Sequence, residues 1–127
     1  MTRVRDTKAM IAGMEPQLQA GTFVFATVKS APADCVATVQ EAEGLSAIIP
    51  TETAKALGLE TDLPMAMITL QVHSALDGIG LTAAVAAALA DEAISCNVVA
   101  GHHHDHIFVP AADANRAVSC LQALAAA

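Results

Sequence analysis

This sequence predicts an α+β fold in two pseudo-repeats, with antiparallel strands and helices on one face, and three observations carry that expectation. The hydrophobic pattern switches repeatedly between a strand period of about 2 and a helical period of about 3.6 residues. The 127 residues fit one compact domain or two very small, intimately packed ones. The second half also echoes the first at an offset of 60, setting Val39 against Val99, Ile48 against Phe108, Ile49-Pro50 against Val109-Pro110 and Ala54 against Ala114. Both halves contain strand, turn, strand, proline, helix, and the expected division is 1–62 and 63–127. Upstream the echo stops, because 81–92 has a helical pattern where 21–32 has that of a strand.

The elements follow in order. Asp6 can cap a short helix through Met14, with Met10, Ile11 and Met14 on one face and Pro16 as its stop. "GTFVFATV" from Gly21, "CVATVQE" and "LSAIIP" are β-branched and apolar and predict strands, the last two joined as a hairpin through Glu43-Gly44. Thr51 is the expected N-cap of a short helix, with Glu52 in its first turn and Gly58 as a left-handed stop. "MAMITLQV", 65–72, is apolar on both parities and predicts a central strand covered on both faces. Leu81, Ala84, Val85, Ala88 and Leu89 make one face of a helix running to Asp91 and Glu92. "ISCNVVAG" and "HIFVP" are two strands about a tight connection. Ala114, Ala117, Val118, Leu121 and Leu124 stripe a closing helix whose last alanines are expected to fray.

Composition excludes several classes of function. Apolar residues make up 54% of the chain but aromatics only 2%, so Ala, Val, Leu, Ile and Met fill the core. The formal charge of -7, with six scattered Lys and Arg, offers no basic stripe for phosphates and no aromatic platform for single strands. Nucleic acid is not an expected partner. No apolar run approaches the ~20 residues that span a bilayer, so no membrane partner is expected either. Asp6 and Lys8 interrupt any leader-like run, and the chain is expected to be mature, cytoplasmic protein. Cys35, Cys96 and Cys120 have no short spacing and sit among apolar neighbours, as buried, reduced thiols would.

From residue 65 the order is β-α-β-β-α, most of a ferredoxin-like βαββαβ unit. With a glycine at the helix start, Gly80, and an Asn-apolar pair opening the next strand, Asn97-Val98, the chain resembles the ACT domain, a small ligand-sensing module of amino-acid metabolism. The stretch "ITLQVHSALDGIGLTAAVAAALADEAISCNVVAGHHHDHIFVP" is similar to that of small bacterial proteins with two ACT-like halves and no attached enzyme, and "GTFVFATV" and "EAEGLSAII" match their first half. Two departures stand out. Ile79 occupies the place of the proline usual before the loop glycine, and no final strand follows Leu124. The missing strand is expected from the N-terminal half, for example from "GTFVFATV". The resemblance implies an amino-acid-binding regulatory or sensor protein, a homodimer without catalytic activity or cofactor, with its ligand at Ser74, Leu76, Asp77, Gly78, Ile79, Gly80 and Asn97.

The residues support that placement on their own terms. Gly78 and Gly80 permit close backbone approach, the free N–H groups at the start of helix 81–92 can receive a carboxylate, and Asp77 or Asn97 can take an ammonium. The alternative is a loop that keeps its shape as a turn and holds no ligand. In "HHHDH", strand alternation would send His102, His104 and His106 to one side, where three imidazoles could hold zinc with His73 as a further ligand, in a metal-dependent protein or hydrolase. The offset of 60 argues otherwise, setting His103 and His104 against Glu43-Gly44 in an ordinary hairpin turn, so no metal site is expected. Ser74 and His73 are strand neighbours pointing apart, which gives no nucleophile–base pair. Met65 and Met67 belong to the core. A purely structural partner-binding module is the third reading.

Overall fold

The computed structural model of the protein describes residues 6–72 and 76–127. Helix α1 (Thr7–Gly13), strand β1 (Pro16–Leu18), β2 (Phe23–Val28), β3 (Ala37–Glu41), β4 (Gly44–Pro50) and helix α2 (Thr51–Ala56) form the first part. Strand β5 (Met65–Leu70), helix α3 (Leu81–Asp91), β6 (Asn97–Ala100), β7 (Asp105–Pro110), a 3-10 turn (Ala111–Asp113) and helix α4 (Ala114–Ala126) follow. They make two compact units, one of the described residues up to Gln19 with Ala66–Ala127, the other of Ala20–Met65.

In the larger unit β5 stands between β1 and β7, with β6 beyond β7. Period-two alternation turns Ala66, Ile68, Leu70 and Val72 to one face, where they meet Ile107 and Val109 of β7 and Leu81, Val85 and Leu89 of α3. Ala117 and Leu121 of α4 and Met10 and Met14 of α1 complete this core. The small alanine lets the helices lie close to the sheet. Asp6 caps α1, its carboxylate accepting from the Ala9 N–H at 2.9 Å. α4 runs helical to Ala126.

The N-terminal half supplies the strand that runs along β5, as expected, chiefly through Pro16–Leu18, while "GTFVFATV" meets β5 only at Phe23, opposite Met65. β1 pairs antiparallel with β5, Pro16 against Leu70, Gln17 against Thr69 and Leu18 against Ile68. Flanking backbone bonds extend the match, from Gln71 N–H to Glu15 C=O at 3.0 Å and from Gln19 N–H to Met67 C=O at 2.9 Å. Residues 23–28 pair with β4 along their whole length, and with β5 at Phe23 opposite Met65.

The smaller unit is an antiparallel sheet in the order β3, β4, β2, with α2 laid against it. Val24, Ala47, Ile49 and Ala54 form its core, bordered by Val28, Cys35 and Leu59. Thr51 does not cap α2. Pro50 occupies the N-cap position, and the Thr51 hydroxyl is held instead by that of Thr22 at 2.7 Å. Gly58, at φ +71°, stops the helix as expected.

The offset of 60 is kept in the pairing register. Ala37 faces Ile48 and Val39 faces Ser46 in one hairpin, while Asn97 faces Phe108 and Val99 faces His106 in the other. The turns correspond too: Glu41 pairs with Gly44, and Gly101 N–H donates to His104 C=O at 2.9 Å. Each hairpin then enters its helical segment through a proline of the same conformation, Pro50 at φ -56°, ψ 141° and Pro110 at φ -52°, ψ 137°.

Candidate functional site

Gly80 precedes α3 at φ +105°, a left-handed conformation that glycine adopts without steric cost. The N-cap residue of α3 is this glycine, which has no side chain to accept from the first turn, and the positive end of the helix dipole lies at the loop. Beside it lies a cavity of about 150 Å³, lined by Leu76, Gly78, Gly80, Leu81 and Thr82 from the loop and helix, Met10 from α1, and Ala100 and Asp105 from the second hairpin.

Of the residues named from sequence, Leu76, Gly78 and Gly80 meet at this cavity. Leu76 is largely exposed, and so is the neighbouring Ile79, at 70% and 80%. Asp77 is exposed on the loop outside the cavity wall. Ser74, like His73, lies outside the described residues. Asn97 stands at the far end of β6 from Ala100, roughly 10 Å along the strand. It also faces away from the helices, since its neighbour Val98 packs into the helix-side core.

Sequence reasoning missed Met10, Leu81, Thr82 and Ala100. For Asp105 a signal existed: Ile107 and Val109 turn toward the helices, so period two puts Asp105 on that face, at the strand's start where the cavity opens. Asp105 pairs with Ala100 across the hairpin, which brings a carboxylate to the wall opposite the helix start. A carboxylate and the positive start of a helix around one small cavity suit a ligand that carries both signs of charge.

The histidines do not act together. His102 and His103 sit exposed at the hairpin tip, ring centroids 4.8 Å apart, and the turn from Gly101 to His104 breaks the alternation that would have aligned His102, His104 and His106. His106 bonds through Nδ1 to the Thr69 hydroxyl at 3.0 Å. Among the described residues no three His, Cys, Asp or Glu side chains gather in a way that would hold a metal ion. Burial, then the nearby His104, hold the His106 pKa below its ordinary value, against a smaller opposing pull from Asp105.

The thiols are free and half-buried rather than fully buried. Burial raises the pKa of Cys96, and burial with the Glu92 and Asp91 carboxylates raises that of Cys120 against the weaker pull of Arg116, so neither favours the thiolate. Cys120 Sγ instead donates to Ala88 C=O at 3.3 Å, tying α4 to α3.

The βαββ order, the borrowed strand and the repeated hairpin define a tandem ferredoxin-like protein. Models of the ACT domain match residues 4–66 and 63–123, and the chain belongs to the ACT-domain family. A Vibrio cholerae protein of unknown function, described as a possible transport protein, is similar in structure, with a TM-score of 0.82 and 42% identity over 93% of this chain and 94% of that one. An Agrobacterium tumefaciens protein shares the fold at a TM-score of 0.69 and 18% identity, over 88% and 89% of the two chains. No curated protein matches. Among the described residues no helix is long and apolar enough to cross a membrane.

Proposed function

We propose that this protein is a non-catalytic regulatory or sensor protein that binds a small metabolite, an amino acid, in the cavity beside Gly80. The observation that carries the reading is the cavity itself, which brings the glycine loop, the positive start of α3 and the Asp105 carboxylate around one small space. Ser74, Asp77 and Ile79 are further ligand-binding residues by their place in the sequence before Gly80, and Asn97 meets ligand from a neighbouring copy of the chain in a cytoplasmic homodimer. The two sequence repeats, 1–62 and 63–127, are the two ACT-like halves, of which the second carries this cavity. Occupancy orders the loop and biases the arrangement of the protein, which is coupling between states without turnover. A possible transport role, as for the Vibrio cholerae protein, would use the same cavity for carriage instead of signalling.

The test is a thermal-shift screen of untagged protein against the proteinogenic amino acids. Saturating ligand raises the melting temperature by mass action, by an amount that grows with its concentration over Kd. A screen in which no amino acid moves the transition, on protein that melts cooperatively, would sink the amino-acid assignment. The metal-dependent or hydrolase alternative draws no support from side chains divided between a hairpin tip and a bond to Thr69.

A further inference from the structure

We propose that helix α1 is a working wall of this site, with Thr7 as the positioning residue for the Gly80 turn and Met10 as the apolar surface that limits ligand size. The proposal rests on the small-molecule reading above for Met10, and on geometry alone for Thr7.

Thr7 stands far away in sequence, yet its hydroxyl donates to the carbonyl of Ile79. Its methyl closes on the next residue, so that a Cβ built on Gly80 would lie 2.7 Å from Thr7 Cγ2 and 3.3 Å from Oγ1. A planar trans peptide points its C=O and N–H in opposite directions. Holding the Ile79 carbonyl against α1 therefore turns the Gly80 N–H away from α1 and fixes the peptide plane from which α3 begins. The Gly80 carbonyl then accepts from Ala84 N–H at 2.9 Å and starts the helix. One hydroxyl on a separate helix thus sets the direction of the loop's last peptide.

Met10 lies one turn along α1, is 1% exposed and lines the cavity beside Leu81 and Thr82. Its place is fixed from below, because α1 packs against both α3 and α4 and is capped by Asp6. A cavity of about 150 Å³ is comparable to one that admits about six heavy atoms. With Met10 as its wall the site therefore selects amino acids with the smallest side chains, glycine, alanine and serine, over leucine or methionine.

The positioning claim is tested without ligand, by amide hydrogen exchange on Thr7→Val and Thr7→Ser. Thr7→Val keeps the shape and loses the donor. Exchange at Ala84, whose N–H donates to the Gly80 carbonyl, should accelerate roughly five- to tenfold, the factor that corresponds to one lost hydrogen bond. Exchange at Val85–Leu89 should stay as in the parent protein. Thr7→Ser, which keeps the donor, should match the parent. Unchanged exchange in Thr7→Val, or equal acceleration in Thr7→Ser, overturns the role. The size claim is read in the thermal-shift screen: Met10→Ala should gain responses to leucine and methionine, while Met10→Leu keeps the parent ranking. A Met10→Ala protein with native circular dichroism and an unchanged ranking overturns it. If Met10→Ala does not fold, Met10→Val takes its place under the same criterion. If no amino acid stabilises the parent, the amino-acid reading and the size claim fall together, and the exchange measurement still decides whether α1 positions the loop.

Discussion

Thr69 Oγ1 and His106 Nδ1 lie 3.0 Å apart across the neighbouring strands β5 and β7, and Gln19 Nε2 donates to the same hydroxyl at 3.0 Å. With the hydroxyl oxygen accepting from the amide, its hydrogen can donate to Nδ1 in the tautomer that carries the histidine proton on Nε2. Thr69 is the buried polar residue among those described, at 4% exposure. The chain from Gln19 through Thr69 to His106 satisfies it and crosses three strands, tying the borrowed N-terminal strand to β7.

Protonation of His106 removes the acceptor that this chain needs, and the consequence for stability has a definite sign. His106 has a folded-state pKa below its ordinary value, so the unfolded chain takes up the proton first as pH falls. The stabilisation is complete above the unfolded value of about 6.5 and is lost as pH drops through the folded value. Urea denaturation followed by circular dichroism should give a midpoint that declines from about pH 7 toward pH 5. His106→Gln should flatten that decline. A variant whose midpoint falls as steeply as the parent's would show that another group is responsible.

Thr69→Val retains shape and removes the hydroxyl, which leaves the Gln19 amide and the His106 ring without their shared partner. The expected loss is about 1–2 kcal/mol, with Thr69→Ser losing less. Because one hydroxyl serves both bonds, the losses in Thr69→Val and Gln19→Ala should be markedly non-additive in a double-mutant cycle. Additive losses would mean that the two bonds are energetically separate.

Gly80→Ala confronts both constraints at that position, a φ of +105° and the Thr7 methyl 2.7 Å from the new Cβ. A destabilisation of about 1–3 kcal/mol is expected from the backbone strain alone. The ligand-induced rise in melting temperature should disappear with it. A variant that still responds to ligand with parental magnitude would place the binding site away from this turn.

The hairpins, their registers and the proline-led helices are legible in the sequence because each is set by local chemistry: β-branched runs, a tight turn, a proline whose φ is fixed. Repetition at an offset of 60 doubled that signal, and it correctly set His103 and His104 in the turn, ahead of a strand that begins at Asp105. Thr51 shows the limit of local rules. A good N-cap residue one position inside the helix found a partner in Thr22, distant in sequence, instead of its own backbone. The site divides in the same way. Leu76, Gly78 and Gly80 are visible as a glycine loop before a helix, whereas Met10 and Ala100 reach the cavity through packing between distant segments. Asn97 resembles a ligand residue by its place in a motif, and its strand turns it to the other face. β1 is the hardest element to see, since Pro16-Gln17-Leu18 is too short to show alternation and its partner lies far along the chain.

That short strand leads to the last expectation, which concerns what folds alone. A fragment of residues 63–127 contains the whole β-α-β-β-α order, but it lacks Met10 and Met14, 1% and 2% exposed in the core of the larger unit, and it lacks the backbone groups that pair with Ile68, Thr69 and Leu70. Burying two methionines contributes about 3–6 kcal/mol, a large share of the roughly 5–15 kcal/mol by which small domains are stable. The fragment should therefore show weak, non-cooperative melting by circular dichroism, a method suited to a chain without Trp or Tyr. A synthetic peptide of residues 1–19 added in trans should restore a cooperative transition whose midpoint rises with peptide concentration. The same peptide with Met10→Ala and Met14→Ala should fail to do so. Cooperative folding of the fragment by itself would mean that the N-terminal arm decorates the unit and is not needed to complete it.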